Sequence, residues 1–288
     1  MVWKPRLSGK QLYHHIYAWG NDRHPVFKDD RHYREYLEYL QIYVSNYGLD
    51  IIAYALMEWH VHLFVFDPFD KISEFMKSLH GKYARFYNRD VRRVGHVFGE
   101  RFNNKVVQVN NYGLWLSRYI HRQAVEAGIV NDPKDYSWTS YQVYIGLASK
   151  GFLKPGVILE QFGRGQAAFR HYREFVIDEE DSPIDWDKTI TSIIGDKDFV
   201  KDVEVSNEID QKEDELSNQN LIEIVSSKLH VKPKLLLNPR GWSERRLRHE
   251  AFVILVNKYG LSARKVAQVF TVSPTAVVKA LKKARAKV

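Results

Sequence analysis

Between Leu12 and Ala127 the apolar residues change period several times, and this restricts the fold more than any other feature of the sequence. Leu12 to Trp19 is aromatic-rich and strand-like, and Gly20-Asn21-Asp22 closes it with a turn. Asp29-Asp30 precedes Tyr33, Tyr36, Leu37 and Leu40 at helical spacing, which predicts a helix to about Asn46, ended by Gly48. Asp50 to Met57 reads as a buried strand, and His60 to Phe66 alternates as its hairpin partner until Asp67-Pro68 stops it. Lys71 to Asn88 predicts an amphipathic helix with Phe75, Leu79, Tyr83 and Phe86 on its apolar side. Gly95 to Gly99 is turn-rich, and Asn103 to Val109 reads as a short strand. Asn110 is expected to cap a helix to about Ala127, closed by Gly128. The order β-α-β-β-α-β-α implies an α+β domain over residues 1–150, one antiparallel sheet with helices packed on it. The helical-period positions from Trp138 onward predict a helical extension of that domain over 151–205.

Composition narrows the function classes. With 288 residues, 44% apolar and 14% aromatic, the chain has ample material for a core and is not disordered as a whole. It has no cysteine, which excludes disulfides, thiolate metal sites and a cysteine nucleophile. No apolar run approaches the length of a membrane span, and no apolar signal core follows the first charges. A soluble cytoplasmic, nucleoid-associated protein without a membrane partner is the expectation.

The net charge of +8 is unevenly placed. Residues 177–216 hold 15 acidic and 4 basic residues, a net of −11; residues 221–288 hold 15 basic and 3 acidic, a net of +12. Two basic bodies are thus joined by an acidic stretch, and the basic excess points to a polyanionic partner. Ser206 to Asn220 has few large apolar residues, so 206–217 is expected to be an exposed linker. Residues 218–288 read as a second, all-helical domain. One helix covers Asn220 to Lys228, and Ser243 is expected to cap a long helix from Glu244 to Tyr259 that Gly260 stops. Ser262 would cap Ala263 to Phe270, Thr271-Val272 would turn, and Ser273 with Pro274 would open the last helix, to about Lys287. Two short helices across such a turn form the helix-turn-helix pattern, with Ser273, Thr275, Lys279, Lys282 and Lys283 as its candidate DNA contacts. A small helical bundle with a solvated basic face is the alternative.

Three residue types carry candidate chemistry. His60 and His62 lie two apart on a strand, so both imidazoles point to one face and could chelate a divalent metal. Alone, they are a weak signal and read more readily as two ordinary histidines in a sheet. Tyr119 and Gln123 lie four apart on a helix and share a face. Tyrosine can be a covalent nucleophile, weak when free and helped by a metal that polarises the attacked phosphate; Gln123 could add an oxygen ligand. Read alone, Tyr119 is a half-buried core tyrosine and Gln123 a surface amide, and Tyr112 stands seven residues earlier on the same face.

Taken together these residues resemble a family. His60-Val61-His62-Leu63-Phe64-Val65 resembles the HUH strand of the single-tyrosine transposases. The run from Tyr112 through Arg118-Tyr119-Ile120 to Gln123 and Gly128 resembles their nucleophile helix. Asp135-Tyr136-Ser137-Trp138-Thr139-Ser140-Tyr141 resembles the segment after that helix in the REP-associated tyrosine transposases. So do Tyr13-His14-His15-Ile16 with Gly20-Asn21, and Gly95-His96-Val97-Phe98 with Arg101-Phe102. The likeness spans roughly residues 8–147. The sequence departs from the family pattern at Trp59, where Asn is frequent, and at Gln123-Ala124-Val125, where Asn-Pro-Val is frequent.

The resemblance implies that His60, His62 and Gln123 hold Mg²⁺ or Mn²⁺, the nitrogen-rich set suiting Mn²⁺ somewhat better. It implies that Tyr119 attacks single-stranded DNA beside a palindromic hairpin, giving a 5′-phosphotyrosine and a free 3′-hydroxyl that can later be rejoined. It makes Lys77, Lys82, Arg85, Arg89, Arg92 and Arg93 candidates for phosphate contacts. The acting species is a monomer or a homodimer. A rolling-circle initiator or relaxase would use the same chemistry, and a DNA-binding regulator with a decayed site is the non-enzymatic alternative. The C-terminal unit resembles the helix-turn-helix of the replication initiator DnaA through Val266 to Val277, which implies duplex DNA as a further partner.

Overall fold

The computed structural model describes residues 7–178, 182–186, 191–259, 261 and 263–285, with only the backbone described at 23, 205–217 and 284–285. The chain divides into two compact units, residues 1–207 and 208–288.

The first unit follows the expected order. Strand β1 (Leu12–Trp19) leads to helix α1 (Asp30–Tyr47), the hairpin β2 (Asp50–Met57) and β3 (His60–Asp67), helix α2 (Ile72–Asp90), strand β4 (Asn103–Val107) and helix α3 (Val109–Glu126). Local chemistry explains the boundaries of α1. The Asp29 carboxylate accepts from the backbone N–H groups of Arg31 and His32, and Gly48 leaves the helix at φ 67°, a conformation that favours glycine. The start of α2 is held differently. Asp67, fully buried at the end of β3, accepts from the N–H groups of Phe69 at 3.0 Å and of Lys71 and Ile72 at 2.7 Å each. Asp67→Ala leaves those donors without their acceptor and is expected to lower unfolding stability by about 2–4 kcal/mol in urea titration. A change below about 0.5 kcal/mol would contradict this role.

The sheet has the order β2-β3-β1-β4-β5. Its first four strands are antiparallel, with His60 opposite Trp19 and Met57, and His62 opposite Tyr17 and Ala55. Strand alternation sends Val61, Leu63 and Val65 to a core shared with Tyr36, Leu40, Phe75, Leu79 and Tyr83 of α1 and α2. Phe64 faces the opposite layer, among Leu116 and Ile120 of α3. Helix α3 comes close to Ile158 because Gly113 has no side chain. A Cβ there would stand 2.9 Å from Val109 Cγ2 and 3.2 Å from Ile158 Cδ1.

Beyond α3 lie the short helices α4 (Tyr141–Tyr144) and α5 (Gly156–Leu159), the helix α6 (Gly165–Ile177), and a two-residue strand β5 (Ile193–Ile194). The extension over 151–205 is therefore not wholly helical. Its strand pairs parallel to β4, Val106 with Ile193 and Val107 with Ile194, so the sheet is not purely antiparallel. Helix α7 (Lys197–Lys228) takes in the acidic stretch 206–217, expected as a linker. Glu, Gln, Lys and Leu are good helix formers, and here they outweigh the scarcity of apolar groups.

The second unit continues with α8 (Pro233–Leu237), α9 (Trp242–Asn257), α10 (Ala263–Val269) and α11 (Pro274–Arg285) around a core of Phe252, Leu255, Val266, Phe270 and Val277. Ser273 caps α11 as expected, its Oγ accepting from Ala276 N at 3.2 Å. Two other caps differ. Gly241, not Ser243, precedes α9, and Gln108, not Asn110, precedes α3, which starts where β4 stops. Gly260, Ser262 and the expected end at Lys287 lie outside the described residues.

Candidate active site

The site forms on the sheet face that α3 covers. His60 and His62 project from β3 as the period-two pattern requires, with ring centroids 4.9 Å apart and nearly perpendicular. Tyr119 and Gln123 come down from α3 one turn apart. The Tyr119 ring lies 5.5 Å from that of His62, edge on, and Gln123 Oε1 lies 3.3 Å from His60 Nε2. The structure thus brings all four predicted residues together. Tyr112 goes elsewhere: it lines a cavity of about 750 Å³ with Ile184, Ile193, Ile194 and Val200.

Electrostatics prepare the donors. His62 is 3% exposed, and burial drives its pKa well below the usual histidine range. Positive charge on His15, His60 and Lys105 acts in the same direction, and a hydrogen bond with Gln123 opposes it. His62 is therefore neutral near pH 7, the form that ligates a cation. Its Nδ1 lies 3.0 Å from His15 Nε2, which leaves Nε2 for Gln123. Burial, then Lys105, lowers the His15 pKa to about 3. Two imidazoles and an amide oxygen form a donor set of the kind that suits a divalent cation. Among the described residues no group of three or more His, Cys, Asp or Glu is arranged to hold a metal.

Sequence reasoning missed four neighbours. His15 stacks on His62 at 5.3 Å and meets the Tyr119 ring edge on at 5.8 Å. Trp186 packs 6.0 Å from Tyr119, and its carbonyl accepts from the buried Lys105 Nζ at 2.8 Å. Trp19, 54% exposed, lies 4.1 Å from His60 and gives the mouth of the site an aromatic wall. His15 and Trp19 share strand alternation with Tyr17, which is a readable signal once β1 is paired with β3. Lys105 and Trp186 carry no such signal.

The candidate phosphate contacts are not at this site. Lys77, Lys82, Arg85 and Arg89 lie exposed on α2, which packs on the opposite face of the sheet, and Arg92 and Arg93 follow it. Lys82 Nζ stands 5.4 Å from the Tyr39 ring, and Arg93 donates to the His96 carbonyl at 3.2 Å. In the second unit Ser273, Thr275, Lys279, Lys282 and Lys283 are all exposed on or beside α11, while Val277 and Ala280 are buried.

Residues 8–123 match the family model described as transposase IS200-like. The match covers less than half of the chain and takes in His60, His62, Tyr119 and Gln123. The likeness to single-tyrosine transposases is borne out over that region and supports a transposase function. Among solved structures, a REP-associated tyrosine transposase bound to a REP hairpin is 14% identical, with 54% of this chain and 92% of that chain covered and a TM-score of 0.45. A provisionally assigned transposase of Deinococcus radiodurans is 22% identical, with 42% and 98% covered and a TM-score of 0.30. No curated protein matches the chain. No helix among the described residues is long and apolar enough to cross a membrane.

Proposed function

We propose that this chain cuts and rejoins single-stranded DNA beside a palindromic hairpin, with Tyr119 as the nucleophile. The observation that carries this reading is the meeting of Tyr119 with His60, His62 and Gln123 on one sheet face. The Tyr119 oxygen attacks phosphorus, the bond to the 3′-oxygen breaks, and the phenolic proton passes to solvent as the leaving oxygen takes one up. The product is a 5′-phosphotyrosine with a free 3′-hydroxyl. A second 3′-hydroxyl reverses the step and joins strands without a nucleotide cofactor.

His60, His62 and Gln123 hold Mg²⁺ or Mn²⁺ in this proposal. When bound, the ion supplies positive charge at the attacked phosphate. With His62 Nδ1 donating to His15 Nε2, His62 Nε2 is left to ligate the ion, and Trp186 packs against one side of Tyr119. The cations on and after α2 stand across the sheet from the histidines, so they suit a hairpin stem that extends beyond the cut position. The exposed Thr275, Lys279, Lys282 and Lys283 support duplex binding through α11.

The test is a denaturing gel of the chain mixed with a labelled hairpin-bearing strand and Mn²⁺. A slow-migrating covalent species is expected with the metal and absent with excess chelator. His62→Ala is expected to weaken Mn²⁺ binding at least about tenfold by electron paramagnetic resonance, without DNA present. A covalent species that persists in chelator, or Mn²⁺ binding unchanged by His62→Ala, overturns the metal assignment.

A further inference from the structure

The second unit carries a basic feature on α9 that shares only Lys283 with the exposed face of α11. Trp242 opens α9 and is 72% exposed, more than Trp19 or Trp59. An indole so exposed loses the benefit of burial unless a partner covers it. Arg245, Arg246 and His249 follow at spacings of three, four and seven, so they share its helix face. With Glu250, Val253, Ala280 and Lys283 they line a cleft of about 340 Å³. Glu250 is its only carboxylate among the described residues and pairs with Arg246 at 3.3 Å. Arg245 and Lys283 give the rest of the cleft its positive charge.

An aromatic platform beside two cations suits a flat base with anions on either side of it. A paired base is already stacked on both faces within a duplex, so only an unpaired one can lie on an indole. We propose that the cleft between α9 and α11 binds one unpaired nucleotide of a single DNA strand, its base stacked on Trp242 and its flanking phosphates held by Arg245 and Lys283. This site requires no nucleophilic attack by Tyr119, and through Lys283 it adjoins the α11 face that would meet a duplex. It gives the C-terminal unit a grip on a displaced strand.

The full chain is irradiated with a short oligothymidylate that carries one 5-iodouracil, and the crosslinked peptides are mapped by mass spectrometry. A crosslink in the tryptic peptide from Gly241 to Arg245 is expected. Trp242→Phe keeps it, Trp242→Ala removes it, and stacking of this kind predicts about a tenfold loss of affinity at the site. Arg245→Ala with Lys283→Ala reduces the crosslink most at low salt, where phosphate contacts contribute most to binding. Crosslinks confined to the N-terminal unit overturn the proposal. So does equal crosslinking at Trp242 when the iodouracil is base-paired in a duplex, which would make the cleft a duplex contact. Neither result bears on the covalent species at Tyr119, so the two readings fail separately.

Discussion

Tyr119→Phe is expected to abolish covalent capture of a hairpin-bearing strand, a loss on the order of 10⁴-fold or more, as when a sole nucleophile is removed. The substitution takes away one hydroxyl and keeps the ring. The edge-on contact with His62 at 5.5 Å and the packing on Trp186 both survive it. Folding and Mn²⁺ binding should therefore match the wild type, and the loss is chemical. Tyr112→Phe is the control that gives the result its meaning. Tyr112 is on the same helix but lines the cavity beside β5, away from His60 and His62. Its variant should capture DNA as the wild type does. Capture retained in Tyr119→Phe and lost in Tyr112→Phe would move the nucleophile to the other end of α3.

Mild acid is expected to destabilise the N-terminal unit. His14 and His121 are fully buried. Burial lowers the His14 pKa to about 4, against the raising effects of the Asn104 hydrogen bond and of Asp70. Burial lowers that of His121 to about 3. His121 lies between Tyr172 Oη and Ser140 Oγ at 2.7 Å each, in a buried network that ties α3 to α6 and to the segment before α4. Both pKa values are depressed in the folded chain. Stability is thus complete above the unfolded value near ~6.5 and is lost as pH falls toward the folded values. Each group removes about 1.4 kcal/mol per pH unit in that window, so the pair removes about 4 kcal/mol by pH 5. Whole-domain stability is about 5–15 kcal/mol, which makes this loss large. Urea titrations followed by circular dichroism from pH 7 to pH 5 measure the slope, and His121→Gln should make it shallower by about one proton. Stability that stays flat over this range would contradict the prediction.

The fold was legible wherever the signal is local. Asp29 and Gly48 mark the ends of α1 through their own backbone chemistry, and His60 to Phe66 alternates because one face meets α1 and α2 while the other meets α3. The strand β5 was not legible: two isoleucines have no period, and they become a strand only through parallel pairing with β4. The helix through 206–217 is not marked by apolar periodicity, because helix propensity rather than burial underlies it. For the site, Tyr119, Gln123, His60 and His62 could be named because spacing fixes which face each one shares. His15, Lys105 and Trp186 enter through tertiary register, 47 residues of separation in the case of His15 and His62. No local pattern carries that information. The cations on and after α2 show the converse, since a basic helix is readable in sequence but the side of the sheet it covers is not.

Covalent joining of Tyr119 to DNA can be read by mass spectrometry of the peptide linked to DNA after the chain reacts with a hairpin-bearing single strand and Mn²⁺. One modified peptide is expected, carrying a 5′-phosphate of the cleaved strand on Tyr119. A nucleotide on Tyr112 or another residue, or a cleaved strand with no protein attached, would contradict it.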